Sequence, residues 1–226
     1  MLKVRVVACD IDGTITDSGR LIQANGIEAL REIQRRGTIV MIASGNVLPV
    51  AFGLSTYIGT KGPVIAENGG LVYYQNTTYQ LQTDELPLKA YDYLKEAMPE
   101  VERLFTDNWR LTEVGLRRSF DLERIRHILA GWDLDIEATG FAIHIMNKGH
   151  SKLAGVERGC ELLGIDLGEV AAIGDSDNDS KMLAGCGFGI AVGNASPSAK
   201  SSADFVAKGT HSDGVIEGLR HLELLD

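Results

Sequence analysis

The chain has 226 residues, enough for one large domain or for a core carrying a smaller inserted one, and 44% hydrophobic with 23% charged residues excludes a disordered or low-complexity chain. With 31 acidic against 22 basic residues the formal charge is −9, which repels nucleic acid phosphates and anionic lipid and excludes both as expected partners. No apolar run approaches the roughly 20 residues of a membrane helix and no signal-peptide pattern precedes the first strand, so a cytoplasmic location is the expectation.

Val4–Cys9 is a β-branched apolar run that stops at acidic residues and reads as a strand buried on both faces. Cys9, Cys160 and Cys186 form no CxxC pair and read as free, buried thiols. Ile27, Leu30 and Ile33 recur at helix spacing within 23–36, and Gly37 closes that helix. A second strand is predicted over 38–43 and a third over 62–66. Asn68-Gly69 is a hairpin turn signal, with strands at 71–74 and 78–81 beside it. This β-α-β-α-β rhythm predicts a right-handed, mostly parallel sheet.

The rhythm then changes. A helix over 86–98, strands at 101–106 and 110–118, a helix over 122–130, and strands at 134–137 and 141–147 give α-β-β-α-β-β, a weak duplication in element order without residue identity. The sheet pattern resumes with a helix at 152–163 and strands at 170–173, 187–192 and 205–206. Short helices fall between these strands, and a helix over 214–224 closes the chain. The predicted fold class is therefore α/β. A doubly wound, Rossmann-like parallel core is built from residues 1–83 and 150–226, and a small α+β domain of residues 84–149 is inserted in it. Ligands of such sheets bind in loops at the carboxyl ends of the strands.

Those loops hold Asp10-Ile11-Asp12-Gly13-Thr14, Ser44-Gly45-Asn46, and Gly174 through Asp179, joined by Lys152 at a helix start. Asp10 and Asp12, two apart at a strand end, can face one side. Carboxylates held together repel, and a hard cation such as Mg²⁺ removes that repulsion, so Asp10, Asp12, Asp175 and Asp179 are the expected metal ligands. Asp10 can then attack phosphorus to form an aspartyl phosphate, and Asp12 can serve as general acid and then general base. Gly13 permits the turn between strand end and Thr14. Ser44, Gly45 and Asn46 are expected to cradle the phosphate at a helix N-terminus, Lys152 to pair with it and with Asp10, and Asn178 to donate to it.

These residues resemble the haloacid dehalogenase superfamily of phosphohydrolases. The match is carried by VACDIDGTIT (7–16), IASGN (42–46), Lys152 and IGDSDNDSKM (173–182), with AENGG (66–70), residues 192–207 and DGV (213–215) in support. The resemblance implies that the first Asp is the nucleophile, that the second is the acid/base, and that the late acidic pair helps bind magnesium. It also implies that the insert is a cap following the third core strand. The short cap and overall length are most similar to the phosphoglycolate phosphatases of archaea, which makes 2-phosphoglycolate the expected substrate. A sugar-phosphate phosphatase or a phosphomutase is the rival within the superfamily, and the oligomeric state is open between a monomer and a homodimer.

A phospho-Asp receiver module shares the acids, the magnesium and the lysine, but its phosphorylated Asp lies mid-chain; here the acid follows the first strand. A calcium loop would use Asp175, Asp177 and Asp179, yet Ser180 and Cys186 stand where such a loop has Gly and Glu. Asp177 reads as solvating its own loop. The run from Gly185 to Gly189 lacks the spacing of a dinucleotide loop. His144, His150, Trp109 and Tyr73 read as structural or packing residues. Arg117 and Arg118 sit on adjacent strand positions, so at most one can face a substrate carboxylate, and a solvated strand edge is the preferred reading.

Overall fold

A computed structural model describes residues 3–226. The described residues form an eight-stranded sheet and a separate three-stranded sheet. In the large sheet β1 (Val6–Cys9) lies at the centre, parallel to β2 (Ile39–Ala43) on one side and to β9 (Val170–Gly174) on the other. Outward from β2 come β3 (Val64–Ala66), then β4 (Leu71–Tyr74) and β5 (Thr77–Gln80), the last two antiparallel. Outward from β9 come β10 (Phe188–Ala191) and β11 (Phe205–Val206), both parallel.

All four residues of β1 are fully buried. Such burial contributes about 1.5–3 kcal/mol for each Val, which explains the unbroken apolar run. The chain leaves β1 towards β2 and returns on the opposite side as β9. That reversal opens a crevice at the carboxyl ends of β1 and β9. The asymmetry of the two flanks follows from turn chemistry. Asn68 and Gly69 both have positive φ, 53° and 97°, and they reverse β3 into β4. The turn between β4 and β5 is made by Gln75 and Asn76, also at positive φ.

The helix α1 (Ala24–Arg35) buries Ala29, Leu30 and Ile33 against the sheet and stops where Gly37 adopts φ 101°. The other helices packed on the large sheet are α2 (Leu48–Ile58), α5 (Lys152–Leu163), α6 (Ser180–Gly185), α7 (Pro197–Ser201) and α8 (His211–His221), with α8 beside α1 and α5 beside α6. Helix α8 begins upstream of the predicted start, behind Thr210.

Between β5 and α5 the chain builds a second hydrophobic cluster of its own, centred on Leu94, Val114, Leu116, Ile143 and Ile145. Its elements are α3 (Glu85–Ala97), β6 (Glu113–Arg117), α4 (Leu122–Ile128), β7 (Leu134–Ala138) and β8 (Ala142–Asn147). The antiparallel sheet runs β6-β8-β7. The strand predicted at 101–106 is reduced to a single bridge between Arg103 and Leu116, and Phe105–Trp109 coils into a 3-10 turn instead. The cause is Asp107. Its buried carboxylate accepts from the backbone of Gly115 at 2.6 Å and pairs with Arg103, so a side chain takes the place of the ladder. No helix among the described residues is long and apolar enough to cross a membrane.

Candidate active site

Asp10 follows β1, and its backbone N–H continues the ladder to Ile173 of β9. Asp175 and Asp179 follow β9. The register of β1 on β9 sets Asp10 near Asp175, and the 3-10 turn Asp177–Asp179 brings Asp179 back to them, so that an oxygen from each of the three lies within 4.8 Å of the others. Gly13 is required there by space as well as by its φ of 86°, since a Cβ on it would sit 2.2 Å from an Asp175 carboxylate oxygen. Asp179 is fixed by the Asp175 and Ser176 backbone N–H groups, which donate to its Oδ2 at 3.0 Å each.

Lys152 opens α5. Its ammonium, 1% exposed, donates to Asp10 Oδ1 at 2.6 Å and to Asp179 Oδ1 at 2.7 Å. The helix gets this close because Gly69 has no side chain. A Cβ at that position would fall 2.1 Å from the Ser151 carbonyl oxygen.

One buried ammonium faces three carboxylates, and the balance shows in their protonation. Burial pushes the Asp10 carboxyl well above its ordinary range; Lys152 opposes the rise, while Asp179 and Asp175 add to it. Burial, with Asp179 beside it, raises Asp175 to about 7. Burial also opposes the Lys152 cation, but Asp10 and Asp179 outweigh it, so that Lys152 is held above the usual lysine range. Asp10 Oδ2 is buried with no hydrogen-bond partner among the described residues. An all-oxygen set with excess negative charge and one unpartnered oxygen suits a hard divalent cation. Oxygens sharing one magnesium ion at about 2.1 Å lie within roughly 4.2 Å of each other, close to the spacing present.

The Asp12 carboxylate is not part of that set. It accepts from Arg20 Nε at 2.8 Å and from Asn46 Nδ2 at 2.6 Å, so its side chain does not join the other three as the sequence suggested. The Ser44 hydroxyl is buried and accepts from the Asn46 backbone at 3.1 Å. The α2 helix begins only at Leu48, so Ser44, Gly45 and Asn46 lie in the loop before it and not at its first turn. Of the three, Gly45 lines the cavity over Asp10, together with Asp12, Asp175, Asn178 and the tip of the β7–β8 hairpin. That cavity encloses about 190 Å³. Asn178 donates to Asn68 Oδ1 at 2.9 Å and leaves its own Oδ1 without a partner among the described residues.

The model of the haloacid dehalogenase-like hydrolases matches residues 7–108 and 124–219. The chain belongs to this family. An Archaeoglobus fulgidus protein named phosphoglycolate phosphatase is 39% identical over the full length of both chains. A Methanothermobacter thermautotrophicus protein of the same name is 36% identical, covering 96% of this chain and 98% of that one. A Thermoplasma acidophilum crystal structure superposes with a TM-score of 0.90 at 29% identity, covering 98% of this chain and 99% of that chain.

In this haloacid dehalogenase-like hydrolase the inserted unit docks through buried polar contacts that sequence reading missed. Asn68, which holds Asn178, donates to Glu113 Oε2 at 2.9 Å. Glu113 pairs with Arg110, and Arg110 reaches the Gly45 carbonyl at 3.0 Å. Burial opposes the Glu113 anion, but Arg110 and His144 overcome it and hold its pKa down to about 2. His144 and His150 are buried structural residues, the latter within 2.7 Å of the Glu67 carbonyl oxygen. Asp177 is exposed and accepts from Ser196, outside the carboxylate cluster. Arg117 pairs with Glu102 on the surface, and neither it nor Arg118 lines the cavity. Tyr73 packs edge-on against Phe52, whereas Trp109 is half-exposed beside Phe105. All three cysteines are free and buried.

Proposed function

We propose that this chain is a magnesium-dependent phosphatase of small phosphate monoesters whose substrate is 2-phosphoglycolate. The observation that carries the reaction is Asp10, buried at a cavity floor with one oxygen held by Lys152 and the other unpartnered among the described residues. The full-length likeness to proteins named phosphoglycolate phosphatase carries the substrate.

The Asp10 carboxylate attacks phosphorus, and the ester oxygen departs with a proton from Asp12. Asp12 then takes a proton from the water that hydrolyses the aspartyl phosphate, regenerating Asp10. Lys152 stays charged and fixes Asp10 for attack, while Gly45 and Asn178 line the cavity where phosphate oxygens would sit. Magnesium held by Asp10, Asp175 and Asp179 would offset the charge of the phosphate dianion as it nears these acids. The unit of residues 84–149 acts as a cap over the cavity, placing Thr139, Gly140 and Phe141 at its mouth and limiting water.

Phosphate release from a panel of esters tests this reading. We expect kcat/KM for 2-phosphoglycolate to exceed that for sugar phosphates by about tenfold or more. Equal turnover ends the substrate assignment, and no release from any ester ends the reaction class. Asp12→Asn is expected to lower kcat roughly 10²–10⁴-fold.

A further inference from the structure

A substrate with two anionic groups needs two sources of positive charge, and this cavity is otherwise acidic. Asp10, Asp12, Asp17 and Asp175 line it, and Arg20 is the sole cation among its described lining residues. Lys152 lies behind Asp10, spent on Asp10 and Asp179. A magnesium ion would serve the phosphate end. Among the described lining residues only Arg20 is left for an anion at the other end.

We infer that Arg20 is the residue that binds the carboxylate of the substrate and so sets the preference for carboxylated phosphate esters. This inference rests on the proposed phosphatase reaction. Three features support it. First, Arg20 is built into place. A hairpin pairs Thr16 with Ile22, Asp17 Oδ1 accepts from the backbones of Gly19 and Leu21 at 2.8 and 3.0 Å, and Arg20 turns at φ 63°. An arginine rarely adopts that conformation without a reason.

Second, the guanidinium is oriented. It lies over the ring of Phe141 at 4.4 Å, from the cap hairpin, so one face is covered and the edge is free. Third, its donors are largely unspent. Nε donates to Asp12, and among the described residues neither Nη atom has a hydrogen-bond acceptor. Two parallel N–H groups are the complement of a carboxylate. In 2-phosphoglycolate only the ester oxygen and one methylene separate the two anionic groups. Arg20 and Asp10 both line a cavity of about 190 Å³, a scale that suits so short a molecule. Drawing Arg20 towards the substrate also releases Asp12 from its ion pair, leaving Asn46 to hold it.

The test compares matched esters with and without a carboxylate: 2-phosphoglycolate against ethyl phosphate, and 3-phosphoglycerate against glycerol 3-phosphate. The reading is the ratio of kcat/KM within each pair, for the wild type, Arg20→Gln and Arg20→Lys. Wild type should favour the carboxylated member. Arg20→Gln should collapse that ratio about 30-fold or more, mostly through KM, and Arg20→Lys, which keeps the charge but not the fork, should fall between. A uniform loss on both members would assign Arg20 to Asp12 alone and overturn the inference, as would an unchanged ratio. A wild type that favours carboxylated esters, with a ratio that Arg20→Gln collapses, but prefers one other than 2-phosphoglycolate would sink the substrate assignment and leave Arg20 in its role. A wild type indifferent to the carboxylate would sink the Arg20 role itself.

Discussion

Asp10 and Lys152 lie 2.6 Å apart, yet removing them should move stability in opposite directions. Asp10→Asn deletes one of three carboxylates that compete for a single ammonium and keeps the shape. Turnover should vanish, while metal-free stability holds or rises. Lys152→Met leaves the carboxylates buried without a cation, a change that costs about 3–5 kcal/mol. Denaturant unfolding in a chelator reads both. A Lys152→Met protein as stable as wild type would mean that the acids are neutral when no cation is present. Asp10 was legible in the sequence because a charge that ends an apolar run has few structural explanations, and Lys152 because it starts the first helix after the insert. Arg20 and Asn68 were not. Arg20 earns its place through a turn at positive φ, and Asn68 through partners 45 and 110 positions away, neither of which a local pattern encodes.

At the scale of elements, the strands that alternate with helices were legible because burial on both faces leaves an unbroken apolar run, as in β1 and β9. The insert was harder. Its strand at 101–106 has the right residue types, but the Asp107 side chain satisfies the neighbouring backbone more locally than a ladder could. The β6 strand contributes Glu113, and this group predicts how the docked insert responds to acid. Its carboxyl is held at about 2 in the folded protein, against an ordinary value of 4.5. The unfolded chain therefore binds a proton below pH 4.5 that the folded chain refuses until about pH 2. The stabilisation is full above 4.5 and is lost as pH falls. Glu113→Gln should be less stable than wild type at pH 6, and the gap should narrow by about 2 kcal/mol on going to pH 3. A gap that is constant across that range would mean that Glu113 contributes shape and not charge.

The core of the large sheet and the cluster of the insert are joined by a polar seam, with the carboxylate cluster and Lys152 on one side of it. Asp10, Asp175, Asp179 and Lys152 all come from the large sheet and α5, whereas Thr139, Gly140, Phe141, Arg110 and Glu113 come from the insert. Metal binding and cap placement should therefore be separable. Asn68→Asp tests this, because it is isosteric and tolerates the φ of 53° at that site. The new carboxylate can still accept from Asn178, but it replaces the donor to Glu113 with a like charge, at a contact now 2.9 Å long. Displacing the cap by even an ångström misplaces the groups at the cavity mouth, so kcat/KM should fall 10- to 100-fold. Any rise in melting temperature on adding magnesium should stay as in wild type, since among the described residues none of Asp10, Asp175 and Asp179 is hydrogen-bonded to Asn68. If the magnesium-dependent rise disappears together with turnover, the seam and the ion site form one cooperative unit, and the cap is part of the metal centre.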